Sequence, residues 1–254
     1  MTENPFQRLT LLTGPEAAAA LERSRVIVVG LGGVGSWCAE ALVRSGIGKI
    51  TLIDFDTICV SNINRQVQAL GSTVGRPKTT ALEERLRDIN PLCAMTAFSG
   101  TFSGETAGLF DIPGADYVID AIDSLGCKLD LIEAALAAGT RLYSSMGMAR
   151  KLDPTLIRTA DIWKTSGCPL ARLVRQGMRK RGISGHFTAV FSAEQIPRRT
   201  EAEPGGHDSA DNNRRGKEAY GSAVTVTAAA GMVLASLVIR DACARYVTDA
   251  PAGG

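Results

Sequence analysis

The residues that could do chemistry begin with a cluster of glycines. In VIVVGLGGVGSWCAEALVRSG, residues 26–46, Gly30, Gly32 and Gly35 stand at GxGxxG spacing between an apolar run and a helical pattern, with Gly33 beside them. Glycines at these positions permit a tight turn and let a phosphate approach backbone N–H groups at a helix N-terminus. Asp54 then ends the next apolar run, at a distance suited to a ribose hydroxyl. To this point a nicotinamide dinucleotide and ATP explain the residues equally well. The next stretch, IDFDTICVSNINRQ, places Asp56, Asn62, Asn64 and Arg65 where ligands of open α/β sheets bind, and VGRPK adds Lys78. An Arg and a Lys converging on one mouth suit the dense charge of a triphosphate and its departing pyrophosphate. The following apolar run ends in VIDAIDS, where Asp120 or Asp123 could hold a Mg2+ bridging the phosphates. Any one of these charges could merely solvate a strand end; their joint occurrence at successive ends points to ATP.

Such a site needs a sheet to carry it, and the chain predicts one. RVIVVG reads as a strand buried on both faces, Ser36 to Ser45 as a helix and KITLID as a second, parallel strand. RPKTTALEERLRDIN is an amphipathic helix, CAMTAFSGTF a third strand, ADYVIDAID a fourth, CKLDLIEAALAAG a helix and RLYSSMG a fifth strand. This alternation predicts an α/β, Rossmann-like, doubly wound and mostly parallel sheet. DPTLIRTADIWKT and GHFTAVFSAE look antiparallel around a helix starting near Pro169, so the sheet is expected to become mixed in its C-terminal half. At the N-terminus, a short arm leads to an Ala-rich helix with Thr13 as its expected cap before Pro15.

A chain of 254 residues is long enough for one large α/β domain, and we expect residues 1–254 to form a single one. Residues 198–219 carry five basic and five acidic residues with almost no apolar ones, and are expected to form a mobile surface loop. With 45% hydrophobic residues, 21% charged residues and a net charge of +2, nothing global pulls the protein toward nucleic acid or membrane. The six cysteines form no CxxC pair, which favours a reducing cytoplasm and excludes the usual zinc spacing. GSAVTVTAAAGMVLASLVI, residues 221–239, has the length of a membrane span but lacks its Leu and Phe density, so we expect a final buried helix from 221 to about 246.

The stretches GLGGVGS, IDFDTICVSNINRQ, GRPK, INP and VIDAIDS together resemble the adenylation core of the ubiquitin-activating-like, ThiF-type proteins, which activate carboxyl groups with ATP and Mg2+. That resemblance implies Gly32 and Gly33 near the phosphates, Asp54 on the ribose, Asn62, Arg65 and Lys78 on the phosphates and Asp123 at the metal. It also implies a homodimer in which Arg8 reaches into the partner's ATP site. Within the group, LDPT, DIWKT and PLARLVR…KRGI are similar to the tRNA threonylcarbamoyladenosine dehydratases, and this similarity spans nearly the whole chain. It implies ATP-dependent activation of a threonyl carboxylate on a modified adenosine beside the tRNA anticodon, then cyclisation with loss of water. Relatives leave room for a monovalent cation and for a cysteine desulfurase or sulphur-acceptor partner; neither is legible in this chain. One rival is an adenylyltransferase for a ubiquitin-like or sulphur-carrier protein, whose usual zinc cysteines are absent here. A second is an NAD-dependent oxidoreductase, against which Arg65, Lys78 and Asp123 argue, and a third is a non-catalytic nucleotide sensor.

Three further features carry expectations. Cys168 precedes Pro169 where relatives often have Asp, so it reads as a helix N-cap rather than as a thiol that accepts an acyl group. The helix from Pro169 carries Arg172, Arg175 and Arg179 at helical spacing, a candidate stripe for tRNA phosphates, with Leu170, Leu173 and Val174 on another face. Trp37 and Trp163 read as packing residues, and His186 and His207, the only histidines, make His-based chemistry improbable.

Overall fold

The computed structural model describes residues 4–195 and 220–249, with side chains described up to residue 244. Seven strands, β1 (Arg25–Val29), β2 (Lys49–Asp54), β3 (Ala94–Ser99), β4 (Tyr117–Asp120), β5 (Arg141–Ser145), β6 (Ile157–Asp161) and β7 (Thr188–Ser192), make one sheet of order β3-β2-β1-β4-β5-β7-β6. Every neighbouring pair is parallel except β6 with β7. The sheet is therefore mostly parallel and becomes mixed in its second half, as the sequence predicts. The strand order reverses between β1 and β4, which opens a crevice at their C-terminal ends.

Among the described residues, seven α-helices flank the sheet: α1 (Gln7–Thr13), α2 (Pro15–Arg23), α3 (Gly35–Arg44), α4 (Lys78–Ile89), α5 (Leu125–Ala137), α6 (Pro169–Lys180) and α7 (Val224–Asp249). Side chains alternate across a strand, so β1 serves two cores. Val26 and Val28 pack with Leu21, Leu42, Leu82 and Leu234 on one face, and Ile27 and Val29 with Leu131, Ile132, Val174 and Met178 on the other. Burial on both faces is why the strand reads as an unbroken apolar run.

Helix α7 is long and apolar enough to cross a membrane, but here it packs on α2 and α3, burying Val226, Ala230, Leu234, Val238 and Ala242. Its contact with α3 is close because Gly231 lacks a side chain: a Cβ there would lie 2.5 Å from the Val34 carbonyl oxygen and 2.9 Å from the Cys38 nitrogen. Gly231→Ala must push the helices apart and is expected to cost about 1–3 kcal/mol in urea denaturation. Gly126→Ala in α5 meets no atom within 4 Å and is the control, expected to be neutral or stabilising by up to about 1 kcal/mol.

Three expectations are corrected. The N-terminal arm is itself helical, and Thr13 ends α1, donating its hydroxyl to the Leu9 carbonyl at 3.0 Å; Gly14, with φ 89°, takes the cap position before Pro15. The last helix starts at Val224, not 221. In α6 the buried face is Ala171, Val174 and Met178, while Leu173 is 42% exposed. The polar stretch 198–219, with His207, lies outside the described residues.

Candidate active site

The glycine turn joins β1 to α3 at the crevice. Gly30 has φ 89°, and a Cβ on it would stand 2.7 Å from the Ala121 carbonyl oxygen; one on Gly35 would stand 1.8 Å from the Gly30 carbonyl oxygen. These two glycines are therefore required by the turn itself. Gly32 and Gly33 differ: the first faces open space, and a Cβ on the second would sit 3.1 Å from Thr227 of α7 and 3.2 Å from the Arg65 side chain. They leave room at the N-terminus of α3, whose cap position, Val34, supplies no side-chain hydrogen bond. The Ser36 N–H is already spent on the Gly32 carbonyl at 3.1 Å, so an anion here would meet the positive end of the helix rather than all of its first N–H groups.

At the end of β2, Asp54 is 8% exposed and accepts from the Leu31 N–H at 2.6 Å and the Asp56 N–H at 2.8 Å. Burial raises its carboxyl above the usual aspartate range, with the charge of Lys78 and the two N–H groups pulling the other way. Donors from a ribose would further favour its ionised form. Lys78, 5% exposed at the start of α4, places its ammonium 2.6 Å from Asp56 and 3.9 Å from Asp54. The two acids hold the lysine at the mouth.

Asn62 ends a 3-10 turn, Val60–Asn62, and its carbonyl oxygen Oδ1 accepts from the Cys59 N–H at 3.1 Å, so that atom shapes the loop. Arg65 donates to the Ser61 carbonyl at 2.7 Å and to Asn64 Oδ1 at 2.9 Å. Trp37 does more than pack: its indole N–H donates to the Arg65 carbonyl at 2.9 Å, bracing the arginine's backbone against α3. Within α3, Glu40 is buried; desolvation raises its pKa, but hydrogen bonds and charge from Arg85 and Arg44 outweigh that and hold it below the ordinary glutamate range. Sequence reasoning passed over Gln66 and Gln68. Gln68 donates to the Leu31 carbonyl at 2.8 Å, while its Oε1 and that of Gln66 are buried acceptors without a hydrogen-bond partner among the described residues. Their place in NINRQVQ beside Arg65 is the signal that could have found them.

The end of β4 separates two aspartates that the sequence offers together. Asp120 is wholly buried and accepts from Lys128 at 2.7 Å and Ser144 at 2.6 Å, so it is corrected from metal candidate to structural acid. Its other oxygen accepts from the Ile122 N–H at 3.1 Å, fixing the loop that carries exposed Asp123. Among the described residues no group of three His, Cys, Asp or Glu side chains could hold a metal. A lone carboxylate fits Mg2+ nonetheless, because that ion keeps waters and is commonly held by one or two carboxylates plus substrate phosphates.

Other candidates lie elsewhere. Arg8 is exposed on α1, whose start packs Phe6 against Gly46 at the edge of the sheet opposite the crevice, so it cannot join the mouth of its own chain. In α6, Arg172 is exposed, but Arg175 turns inward to the Thr165 hydroxyl and the Ile162 carbonyl, and Arg179 lies 5.2 Å above the Trp163 ring. Of the three, only Arg175 is thus drawn inward, while Arg172 and Arg179 stay exposed. Cys168 occupies the cap position of α6, buried, but makes no capping hydrogen bond. His186 pairs with Asp161 at 2.9 Å, away from the crevice.

Comparison with known proteins agrees with this geometry. The ThiF family profile matches residues 6–244. The tRNA threonylcarbamoyladenosine dehydratase of Bacillus subtilis (strain 168) is 41% identical over 238 residues, covering 93% of each chain. That of Haemophilus influenzae is 39% identical over 246 residues, covering 93% of this chain and 92% of its own. The Escherichia coli enzyme TcdA, solved in complex with ATP, superposes with a TM-score of 0.83 at 33% identity over 96% of both chains. The chain belongs to the ThiF family and, within it, to the group of the tRNA threonylcarbamoyladenosine dehydratases.

Proposed function

We propose that the protein uses ATP to dehydrate threonylcarbamoyladenosine beside the anticodon of tRNA, closing it to a ring. The observation that carries this reading is the meeting of the glycine turn, Asp54, Lys78 and Arg65 at one crevice, in a chain that matches such dehydratases over nearly its full length. ATP lies over Gly32 and Gly33, its ribose hydroxyls donating to Asp54 and its phosphates facing Arg65 and Lys78, with Gly30, Gly35, Asp56 and Asn62 shaping the turn and loop. Mg2+, held by Asp123, would neutralise phosphate charge.

The chemistry asks for positioning more than for a protein nucleophile. A carboxylate oxygen of the substrate attacks a phosphorus of ATP, and the bond to the leaving phosphate breaks with its charge met by Arg65 and Lys78. A nucleophilic atom of the same threonylcarbamoyl group then attacks the activated carbonyl carbon. The phosphate ester departs with the former carboxylate oxygen, and the net change in the nucleoside is the loss of one water. Mass spectrometry of nucleosides from tRNA incubated with and without ATP tests this: an ATP-dependent loss of one water is expected. Adenylation of a Gly-Gly-tailed carrier protein with no change in tRNA would instead favour the rival adenylyltransferase.

The enzyme works as a single-domain unit in the cytoplasm and as a homodimer, with Arg8 serving the partner's site; α1 supports this with Leu11 and Leu12 exposed by 74% and 81%. All six cysteines are free, as a reducing compartment requires. Mixing Arg8→Ala with Lys78→Ala protein, each inactive alone, should restore about a quarter of wild-type activity, because half of the dimers are mixed and each has one intact site. No recovery on mixing would place Arg8 outside the partner's site.

A further inference from the structure

We propose that Arg150 and Tyr220 form a stacking platform for a nucleotide of the RNA substrate at the rim of the ATP crevice; the proposal rests on the tRNA reading above. Arg150 follows the C-terminal end of β5 and is the only non-glycine among the described residues with a left-handed backbone, φ 60°. Such a conformation persists only where neighbours over-determine it, and it gathers at ligand sites. Here the neighbours do so. The Arg150 N–H donates to the Gly221 carbonyl at 2.8 Å, and buried Lys151 anchors the next residue through the Glu194 carbonyl. The Leu152 and Asp153 N–H groups donate to the Glu194 carboxylate at 3.0 and 3.1 Å.

The pinned backbone leaves the Arg150 side chain exposed, with its guanidinium carbon 5.6 Å from the ring centroid of Tyr220, itself 59% exposed. Two planar faces and a positive charge are what an unstacked base and its phosphate engage. A carboxylate alone would need the arginine but not the ring. The place of the pair also fits an RNA substrate. Ser222, two residues beyond Tyr220, accepts through its carbonyl from Asn64 Nδ2 at 2.9 Å, and Asn64 Oδ1 accepts from Arg65 at 2.9 Å. A short chain of bonds therefore joins the platform to the arginine assigned to ATP phosphate. A nucleoside whose carboxylate reaches ATP brings its flanking nucleotides past this rim.

Arg150→Gly, Tyr220→Ala and Tyr220→Phe test the proposal on tRNA carrying threonylcarbamoyladenosine, with ATP affinity measured separately by calorimetry. Glycine adopts φ 60° without strain, so the first variant keeps its fold. Arg150→Gly and Tyr220→Ala are expected to raise the KM for tRNA about tenfold, with kcat, ATP affinity and melting temperature held, while Tyr220→Phe behaves as wild type. A wild-type KM in both truncations overturns the platform, as does a loss of ATP affinity that matches the loss of tRNA affinity. A wild-type protein that removes no water from the tRNA nucleoside overturns the functional reading together with the platform, and this is seen before any variant is made.

Discussion

Arg65→Ala is expected to lower ATP-dependent turnover by roughly two to three orders of magnitude, the loss seen when one preorganised group that meets developing charge is removed. The fork of the guanidinium matches two phosphate oxygens at once, and its Nη1 donates to two neutral acceptors, the Ser61 carbonyl and the Asn64 amide oxygen, which a phosphate outcompetes. The loop should survive the change, since its backbone keeps the bonds from Trp37 and Asn62 and loses only the arginine's own bond to the Ser61 carbonyl. Melting temperature is therefore expected to stay near wild type while single-turnover rates collapse. Arg65→Lys keeps the charge but loses the fork, and should fall between the two. A single-turnover rate unchanged in Arg65→Ala would remove the arginine from the reaction. Lys78 is a poorer probe of chemistry, because deleting it also strips Asp54 and Asp56 of their cation and confounds catalysis with stability.

Lys128→Met should destabilise the fold by about 3–5 kcal/mol, the usual cost of leaving a buried charge without its partner. Both members of the pair are fully buried at 2.7 Å, and the Ser144 hydroxyl alone cannot replace the ammonium. Removing both charges, as Asp120→Leu with Lys128→Met, should recover much of that loss, because two apolar groups need no compensation. Urea denaturation of the two singles and the double closes the cycle. The double variant should still lose activity, since the Ile122 N–H then lacks its acceptor and the Asp123 loop its anchor. A Lys128→Met protein as stable as wild type would overturn the claim that the fold depends on this buried pair.

The parallel sheet was legible because β1 is an apolar run from Val26 to Val29, β2 is apolar at Ile50, Leu52 and Ile53, and the glycines between them mark a strand, turn and helix in succession. The residues of the mouth were legible for a related reason: Asp54 ends β2, and Arg65 and Lys78 follow in the loop and helix start beyond that strand end, where the fold gathers them. What could not be read depends on distant partners. Asp120 and Asp123 look alike in VIDAIDS, and only Lys128 and Ser144 separate them. The arginines of α6 have the spacing of an exposed stripe, yet Thr165 draws Arg175 inward, and Arg179, still exposed, rests over Trp163. Thr227 lies far from the glycines in sequence, so its place against Gly33 follows from the packing of α7 and from no local pattern.

That last contact bears on how the protein is made. Ser222 and Thr227, at the start of the final helix, brace Asn64 and close against Gly33, so the nucleotide crevice assembled from residues 30–123 is finished only by chain that is synthesised much later. A nascent chain can form the central strands early, as domains do during translation, but it emerges with its ATP mouth unbraced. The ATP mouth is thus fully braced only once α7 has packed, so that helix closes the crevice as well as walling the core.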